Sequence, residues 1–192
     1  QAVGDDAAKT PITPSLMTMA DLANYKAKER EPVCTTYRSS YYVCSMSPPS
    51  SGGIAITQAL GILENFNLSS YGPTDPANEG GLPSVMGVHL VSEAERLAYA
   101  DRDTYVADTD FVPLPAKGVT SMLDKNYLKS RAALISADKS IGIASAGTFG
   151  AAASYAADKT VEYGTTHFSI VDSYGNVVSM TSTVESSMGS YH

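Results

Sequence analysis

Six residues after Ser84 recur at intervals of three and four, which is the spacing of one face of an α-helix. This pattern predicts a long helix from about Ser84 that ends at residues 108–110. Its recurring residues are Leu90, Ala94, Leu97, Ala98, Asp101 and Tyr105. Shorter helices are predicted at 18–28, 53–66 and 125–135.

Two stretches carry β-branched and aromatic residues on both sides of a turn, and each predicts a β-hairpin. The first covers residues 33–46 with a turn at Tyr37–Ser40. The second joins residues 166–171 to residues 177–183 through a turn at 172–176.

The segments outside these elements hold few large hydrophobic residues. Residues 1–15 predict a loosely held lead-in, and the Ala- and Gly-rich residues 136–163 predict a mobile linker that buries little. The whole chain has 192 residues, of which 43% are hydrophobic and 17% charged, so it can bury one sizeable core. We therefore expect a mixed α and β globular fold.

The charge of the chain excludes some classes of partner. Its 13 Lys and Arg against 20 Asp and Glu give a net charge of −7 without a basic cluster, which argues against nucleic acid. No apolar run approaches the roughly 20 residues that span a bilayer, so no membrane span is expected in this segment. The sequence lacks a signal pattern at its start and a closing element at its end, and we expect both ends of a longer protein to be missing.

The chain has two cysteines, Cys34 and Cys44, on either side of the first predicted turn. Facing strands would bring their sulfur atoms together, and we expect a disulfide, which implies an oxidising compartment. The alternative is a pair of reduced, buried thiols. The spacing excludes a CxxC redox or zinc motif.

Three stretches carry a family resemblance. Tyr163-Gly164-Thr165-Thr166-His167 precedes a predicted strand, Pro48-Pro49-Ser50-Ser51-Gly52-Gly53 opens a helix, and residues 93–102 lie in the long helix. In this order and spacing they resemble the gamma-glutamyltranspeptidase family of N-terminal nucleophile hydrolases. The resemblance implies an α+β fold that is part of a four-layer αββα sandwich, with residues 1–164 from the end of the large subunit and residues 165–192 from the start of the small subunit.

The resemblance assigns the chemistry to Thr165. A threonine hydroxyl is a weak nucleophile unless a base lies beside it, and in such enzymes the base is the residue's own freed α-amine. The precursor is expected to free this amine by cutting its own Gly164–Thr165 bond. Thr183 is expected to contact the nucleophile and support its activation, and Glu185 to bind the ammonium group of the substrate.

Other polar residues are interpreted as structural. His167 is not the base, because the α-amine fills that role. Residues 50–53 lack the lysine of a phosphate loop and predict a tight turn under the active site. The carboxylates of Glu93, Glu95 and Asp101 fit a solvated helix face with Asp101 paired to Arg96 or Arg102, so no metal is expected.

The expected function is γ-glutamyl transfer from glutathione or a similar compound to water or an amine through an ester on Thr165, without a cofactor. A cephalosporin or glutaryl acylase of the same family, or a non-catalytic fragment, is the alternative. The expected partners are a small γ-glutamyl substrate, an acceptor and the rest of the protein's own subunits, in the periplasm or outside the cell. In the family the oxyanion donors and the carboxylate-binding arginine lie outside residues 1–192, so this chain alone is expected to be inactive.

Overall fold

The structure is a computed structural model of the chain, and it describes residues 16–75, 77, 80–150 and 165–184. The chain divides into two compact units. Residues 29–158 form the larger unit, and residues 1–28 with 159–192 form the smaller one. Each unit is described by itself.

The described residues of the larger unit form a hairpin and four α-helices. Its elements are β1 Val33–Tyr37, β2 Tyr41–Ser45, α2 Gly52–Leu63, a 3-10 turn Leu68–Tyr71, α3 Val85–Tyr105, α4 Val119–Met122 and α5 Lys125–Ala132. The smaller unit holds α1 Met19–Asn24 and the antiparallel pair β3 Thr165–Val171 and β4 Val177–Thr183. The predicted helices and hairpins are confirmed in kind, and the fold is α+β.

Several predicted helix ends are wrong by a few residues. Helix α1 ends at Asn24 instead of Lys28, because Tyr25 takes an extended conformation and no side chain of the helix is buried to stabilise further turns. Helix α3 ends at Tyr105 instead of 108–110, since Val106 is also extended. Helix α2 ends three residues before Phe66, and the short helix α4 was not predicted.

The core of the larger unit lies where helices α2, α3 and α5 meet. The buried apolar residues of this cluster are Ile62, Leu63, Leu90, Ala94, Leu97, Leu128 and Ala132. A second cluster joins Val33 of β1, Ile54 of α2 and Met122 of α4. The first hairpin is therefore packed onto the start of helix α2, as burial of apolar surface requires.

The first hairpin contains the expected disulfide between Cys34 and Cys44, which are opposite each other in the strand register. Its turn contacts the end of helix α2. Arg38 donates from its guanidinium group to the carbonyl oxygens of Leu63 and Phe66 at 3.1 and 3.0 Å, at the end of the helix and in the turn that follows it. The disulfide joins the two strands, and the contacts of Arg38 hold the turn of the hairpin to the end of helix α2.

The segment from residue 136 onward corrects the prediction of a linker that buries little. Its first part, residues 136–150, has no helix or strand, yet Ile141 and Ala144 pack on one core cluster and Phe149 on the other. Residues 151–163 of the predicted linker lie outside the described residues. Across the described part of the chain, no helix is long and apolar enough to cross a membrane.

Candidate active site

The predicted nucleophile Thr165 is the first residue of strand β3, and the register places it directly opposite Thr183, the last residue of β4. Opposite residues on one face of an antiparallel pair have Cβ atoms about 4.5–5.5 Å apart. The structure therefore brings together the two threonines that the sequence analysis singled out. They form the final pair of the ladder at its open end.

The turn of this hairpin fixes that register. One carboxylate oxygen of Asp172 accepts from the backbone N–H groups of Tyr174 and Asn176, each at 2.9 Å. Its other oxygen accepts from the Asn176 side chain at 2.7 Å. The hydrogen bonds from Asn176 hold the pKa of Asp172 below its ordinary value. Gly175 supplies a positive φ of 86°, which glycine adopts without steric cost.

The two faces of the hairpin differ in polarity. Because side chains alternate along a strand, Thr165 shares one face with His167 and Ser169 of β3 and with Ser179, Thr181 and Thr183 of β4. Phe168, Ile170, Val178 and Met180 lie on the other face, with 41%, 56%, 50% and 48% of their surface exposed. A two-stranded hairpin with one uncovered apolar face is marginally stable alone.

His167 lies in the middle of the polar face and contacts three hydroxyl groups. Its Nδ1 is 2.8 Å from Thr181 Oγ1. Its Nε2 is 3.2 Å from both Ser169 Oγ and Ser179 Oγ. The interpretation of His167 as a structural residue stays a prediction.

Two of the predicted site residues, Gly164 and Glu185, lie outside the described residues. The structure therefore places Thr165 and Thr183 and leaves the roles of all four residues as predictions. Within the described ranges, no cluster of three or more His, Cys, Asp or Glu side chains could hold a metal ion.

The structure contains a buried polar cluster that was not expected from the sequence, centred on Asp101, which is 1% exposed. Its carboxylate accepts from the backbone N–H of Gly147 at 2.7 Å, from Gln58 Nε2 at 3.1 Å and from the hydroxyl of Tyr127. It pairs with Arg131 at 3.3 Å. The prediction of a solvated Asp101 paired with Arg96 or Arg102 is wrong, because the residue lies on the buried stripe of α3.

The charge of this cluster also affects Tyr127. Burial, followed by its hydrogen bond to Asp101, raises the pKa of the Tyr127 phenol well above its ordinary value. The phenol therefore stays protonated and donates. Tyr127 also packs against Phe149, with ring centroids 4.5 Å apart, and a Cβ on Gly147 would lie 2.0 Å from its hydroxyl oxygen. A side chain at residue 147 would therefore require the Tyr127 ring to move.

Glu93 is a second buried carboxylate on the same helix, with 1% of its surface exposed, and the prediction of a solvated side chain is wrong for it too. Its two oxygens accept from the Ser140 hydroxyl and from the Ile141 backbone N–H, each at 2.6 Å. Burial raises the pKa of Glu93, but these hydrogen bonds and the nearby His89 and Arg96 charges outweigh it and hold the pKa below its ordinary value. Glu95 is exposed, as predicted.

The loop before helix α2 is the tight turn that the sequence predicted. The Gly53 N–H donates to the carbonyl of Met46 at 3.1 Å, and a Cβ on Gly53 would lie 2.2 Å from that oxygen. Such contact requires glycine. The position of this turn beneath an active site stays a prediction.

Comparison with known proteins identifies the relatives of the chain. A family model described as Gamma-glutamyltranspeptidase matches residues 2–192. The glutathione hydrolase proenzyme of Escherichia coli (strain K12) is 41% identical over 174 residues, which cover 91% of this chain and 27% of that protein. The acylase ACY 1 proenzyme of Pseudomonas sp. (strain SE83) is 38% identical over the same shares.

A solved structure of the same family also matches the chain. The crystal structure of Helicobacter pylori gamma-glutamyltranspeptidase matches with a TM-score of 0.56 and 38% identity, covering 68% of this chain and 34% of that one. The chain thus spans about a quarter of the length of these curated relatives.

Proposed function

The chain belongs to the gamma-glutamyltranspeptidase family, and from that premise we propose that the protein of which it is a part transfers γ-glutamyl groups from glutathione or a similar compound to water or an amine. The observation that carries the proposal is the pairing of Thr165 with Thr183 at the open end of the β3–β4 hairpin. The family match and this pairing support a threonine nucleophile better than either does alone.

The first step is cleavage of the precursor at Gly164–Thr165. The Thr165 hydroxyl attacks the carbonyl carbon of Gly164, and the C–N bond breaks as the nitrogen takes up the hydroxyl proton. The product is an ester on the Thr165 oxygen with a free α-amine. Water then hydrolyses the ester and leaves a carboxylate on Gly164. Glycine at this position lets the hydroxyl approach the carbonyl closely, since it has no Cβ.

The same hydroxyl then acts in turnover. The freed α-amine of Thr165 takes the hydroxyl proton as the oxygen attacks the γ-carbonyl carbon of the substrate. The proton passes to the leaving amine, and the γ-glutamyl group stays on Thr165 as an ester. Water or an acceptor amine attacks this ester and restores the hydroxyl.

Two further residues have proposed roles at this site. Thr183 contacts the nucleophile through its hydroxyl and orients it, which its place opposite Thr165 in the register supports. Glu185 binds the ammonium group of the glutamyl substrate through a charge-assisted hydrogen bond.

The proposed organisation follows from the same cut. Residues 1–164 belong to the large subunit and residues 165–192 begin the small subunit, so the first partners of the chain are the remaining parts of both subunits. The exposed apolar face of the β3–β4 hairpin supports its place in a larger sheet of an αββα sandwich, where further layers would cover it. The Cys34–Cys44 disulfide supports a periplasmic or secreted enzyme.

A second candidate function is that of a cephalosporin or glutaryl acylase, which the 38% identity to the Pseudomonas acylase favours. Both activities would use the same nucleophile and differ in the acyl group that the pocket accepts. We expect kcat/KM of the full-length enzyme to be higher for γ-glutamyl-p-nitroanilide than for glutaryl-p-nitroanilide. The opposite order would establish the acylase, and turnover of either substrate that survives Thr165→Ala would exclude both.

A non-catalytic role is proposed for this chain in isolation. In the family the oxyanion donors lie outside residues 1–192. Their loss typically costs on the order of 100- to 1000-fold in rate. We therefore expect the separate chain to neither cleave itself efficiently nor release the anilide. A rate near that of the full-length enzyme would contradict this.

A further inference from the structure

His167 joins the two strands of the catalytic hairpin through its side chain. Its Nδ1 contacts Thr181 Oγ1 of β4 at 2.8 Å, and Thr181 is its direct partner in the register. Its Nε2 contacts Ser179 of β4 and Ser169 of β3, both at 3.2 Å. One imidazole ring therefore links two successive levels of the ladder on the face that carries Thr165.

The next level on that face is the pair of Thr165 and Thr183, which ends the described ladder. The ends of strands open more readily than their centres. A slip of one residue would turn Thr183 to the opposite face, because side chains alternate along a strand. One level further along the hairpin, the side-chain link from His167 to Thr181 joins the two strands on the same face.

We propose that His167 is a positioning residue, which holds Thr183 opposite Thr165 by hydrogen-bonding Thr181. The inference rests on the proposed function of the two threonines. Both ring nitrogens are engaged by hydroxyl groups, so the imidazole acts through Thr181 and does not exchange a proton with the nucleophile. The hydroxyl of Thr181 and the imidazole should then form one functional unit.

The test compares variants of the full-length precursor. His167→Phe removes the hydrogen bonds and keeps an aromatic ring, and Thr181→Val removes the partner hydroxyl at equal shape. The double variant tests their coupling. Ser182→Ala is the matched control, because Ser182 is adjacent in the same strand but lies on the other face. The measured quantities are the half-time of precursor cleavage and, for the mature enzyme, kcat and KM.

We expect His167→Phe and Thr181→Val each to slow cleavage and to lower kcat by about 10-fold or more, since small displacements of reacting groups cost rates of that order. KM should change less than about twofold, and the control should match the wild type. The double variant should be no slower than the slower single variant. Effects that multiply in the double variant would overturn the proposal.

A rescue variant separates positioning from acid–base chemistry. His167→Asn places an amide nitrogen or oxygen near the position of Nδ1, so it can still bond Thr181 but has no group that titrates near neutral pH. We expect it to recover most of the rate that His167→Phe loses. Recovery no better than that of His167→Phe, or loss of a limb of the pH–rate profile, would contradict the proposal.

Hydrogen exchange tests the positioning role of His167 independently of the assignment of Thr165 as the nucleophile. In the Thr165→Ala precursor, His167→Phe should accelerate hydrogen exchange of the amides in residues 177–184 by about 10-fold or more, while Ser182→Ala should not. Unchanged exchange would refute the positioning role even if the nucleophile is assigned correctly. If the Thr165→Ala precursor is itself cleaved normally, the proposed function fails, whereas the exchange rates still decide the role of His167.

Discussion

Replacing Asp101 by Asn removes the negative charge from the buried cluster and keeps the shape of the side chain. Arg131, which is 5% exposed, would then lack its counter-charge. At their separation of 3.3 Å, the two charges attract each other by about 5 kcal/mol at an effective dielectric constant of about 20.

The net effect should be smaller than this attraction. Breaking a buried pair typically costs about 3–5 kcal/mol, because the remaining charge stays uncompensated. Arg131 keeps the carbonyl oxygens of Ser145 and Leu97 at 2.7 and 3.2 Å, and the Asn oxygen can still accept from Gly147. We therefore expect a loss at the lower end, about 3 kcal/mol.

The segment of residues 140–149 should report this loss. Hydrogen exchange of its amides in the full-length enzyme should accelerate by about 100-fold for Asp101→Asn, since 1.4 kcal/mol corresponds to a factor of ten. Glu95→Gln is the control, because Glu95 is an exposed carboxylate on the same helix and its loss should change stability by less than about 0.5 kcal/mol. Exchange within about threefold of the wild type for Asp101→Asn would refute the view that this carboxylate anchors the segment.

Three further predictions concern the rest of the larger unit. Gly53→Ala should destabilise the enzyme by about 1–3 kcal/mol in urea unfolding, because the new Cβ would meet a backbone oxygen at 2.2 Å. The control Gly52→Ala should cost less than about 1 kcal/mol, because its Cβ would have a side-chain oxygen at 3.6 Å as its nearest neighbour. Equal effects would contradict the packing argument. Reduction of the disulfide, or its removal by Cys34→Ser with Cys44→Ser, should cost about 3 kcal/mol for a sequence separation of 10 residues, and alkylation of two thiols in non-reduced protein would show that the bond is absent. Glu93 has a lowered pKa, so its contribution to the free energy of unfolding is full above the ordinary glutamate pKa and is lost as the pH falls through the lowered value. Glu93→Gln should therefore flatten the acid limb of a stability–pH curve, and an unchanged limb would contradict this.

The long helix could be predicted because its buried face repeats without interruption. The hairpins could be predicted because polar residues mark both turns, with a glycine in the second. The helix ends could not be placed as well. Residues 25–28 favour helix by composition, but α1 has no buried side chain, so nothing compensates the cost of further turns. At the end of α3, neither glycine nor proline marks the change at Val106.

The partners of the buried carboxylates could not be predicted from the sequence, for a different reason. Their partners are distant in sequence, since Gly147 lies 46 residues after Asp101 and Ile141 lies 48 residues after Glu93. One signal was present, because both acids fall at helical spacing from the apolar Leu97. An acid on an apolar stripe indicates a buried partner, and Asp101 carries this signal because it lies on the recurring face of the predicted helix.

Part of the candidate site could be predicted from the sequence, and part required the structure. The turn at 172–176 was recognisable from sequence, and the symmetric register that follows from it places Thr165 opposite Thr183. The contacts of His167 could not be predicted, because they require knowing which hydroxyls share its face. The roles of Thr165, Thr183, Gly164 and Glu185 stay predictions.

The intact mass of the full-length precursor, followed over time after its synthesis, tests directly whether Thr165 is the nucleophile. We expect the wild type to separate into two chains, the smaller beginning Thr165-Thr166-His167, and Thr165→Ala to remain a single chain. Thr166→Ala is the matched control, because Thr166 adjoins the nucleophile but lies on the opposite face of β3, and it should still be cleaved. Cleavage of the Thr165→Ala precursor at the wild-type rate and position would contradict the assignment of Thr165 as the nucleophile.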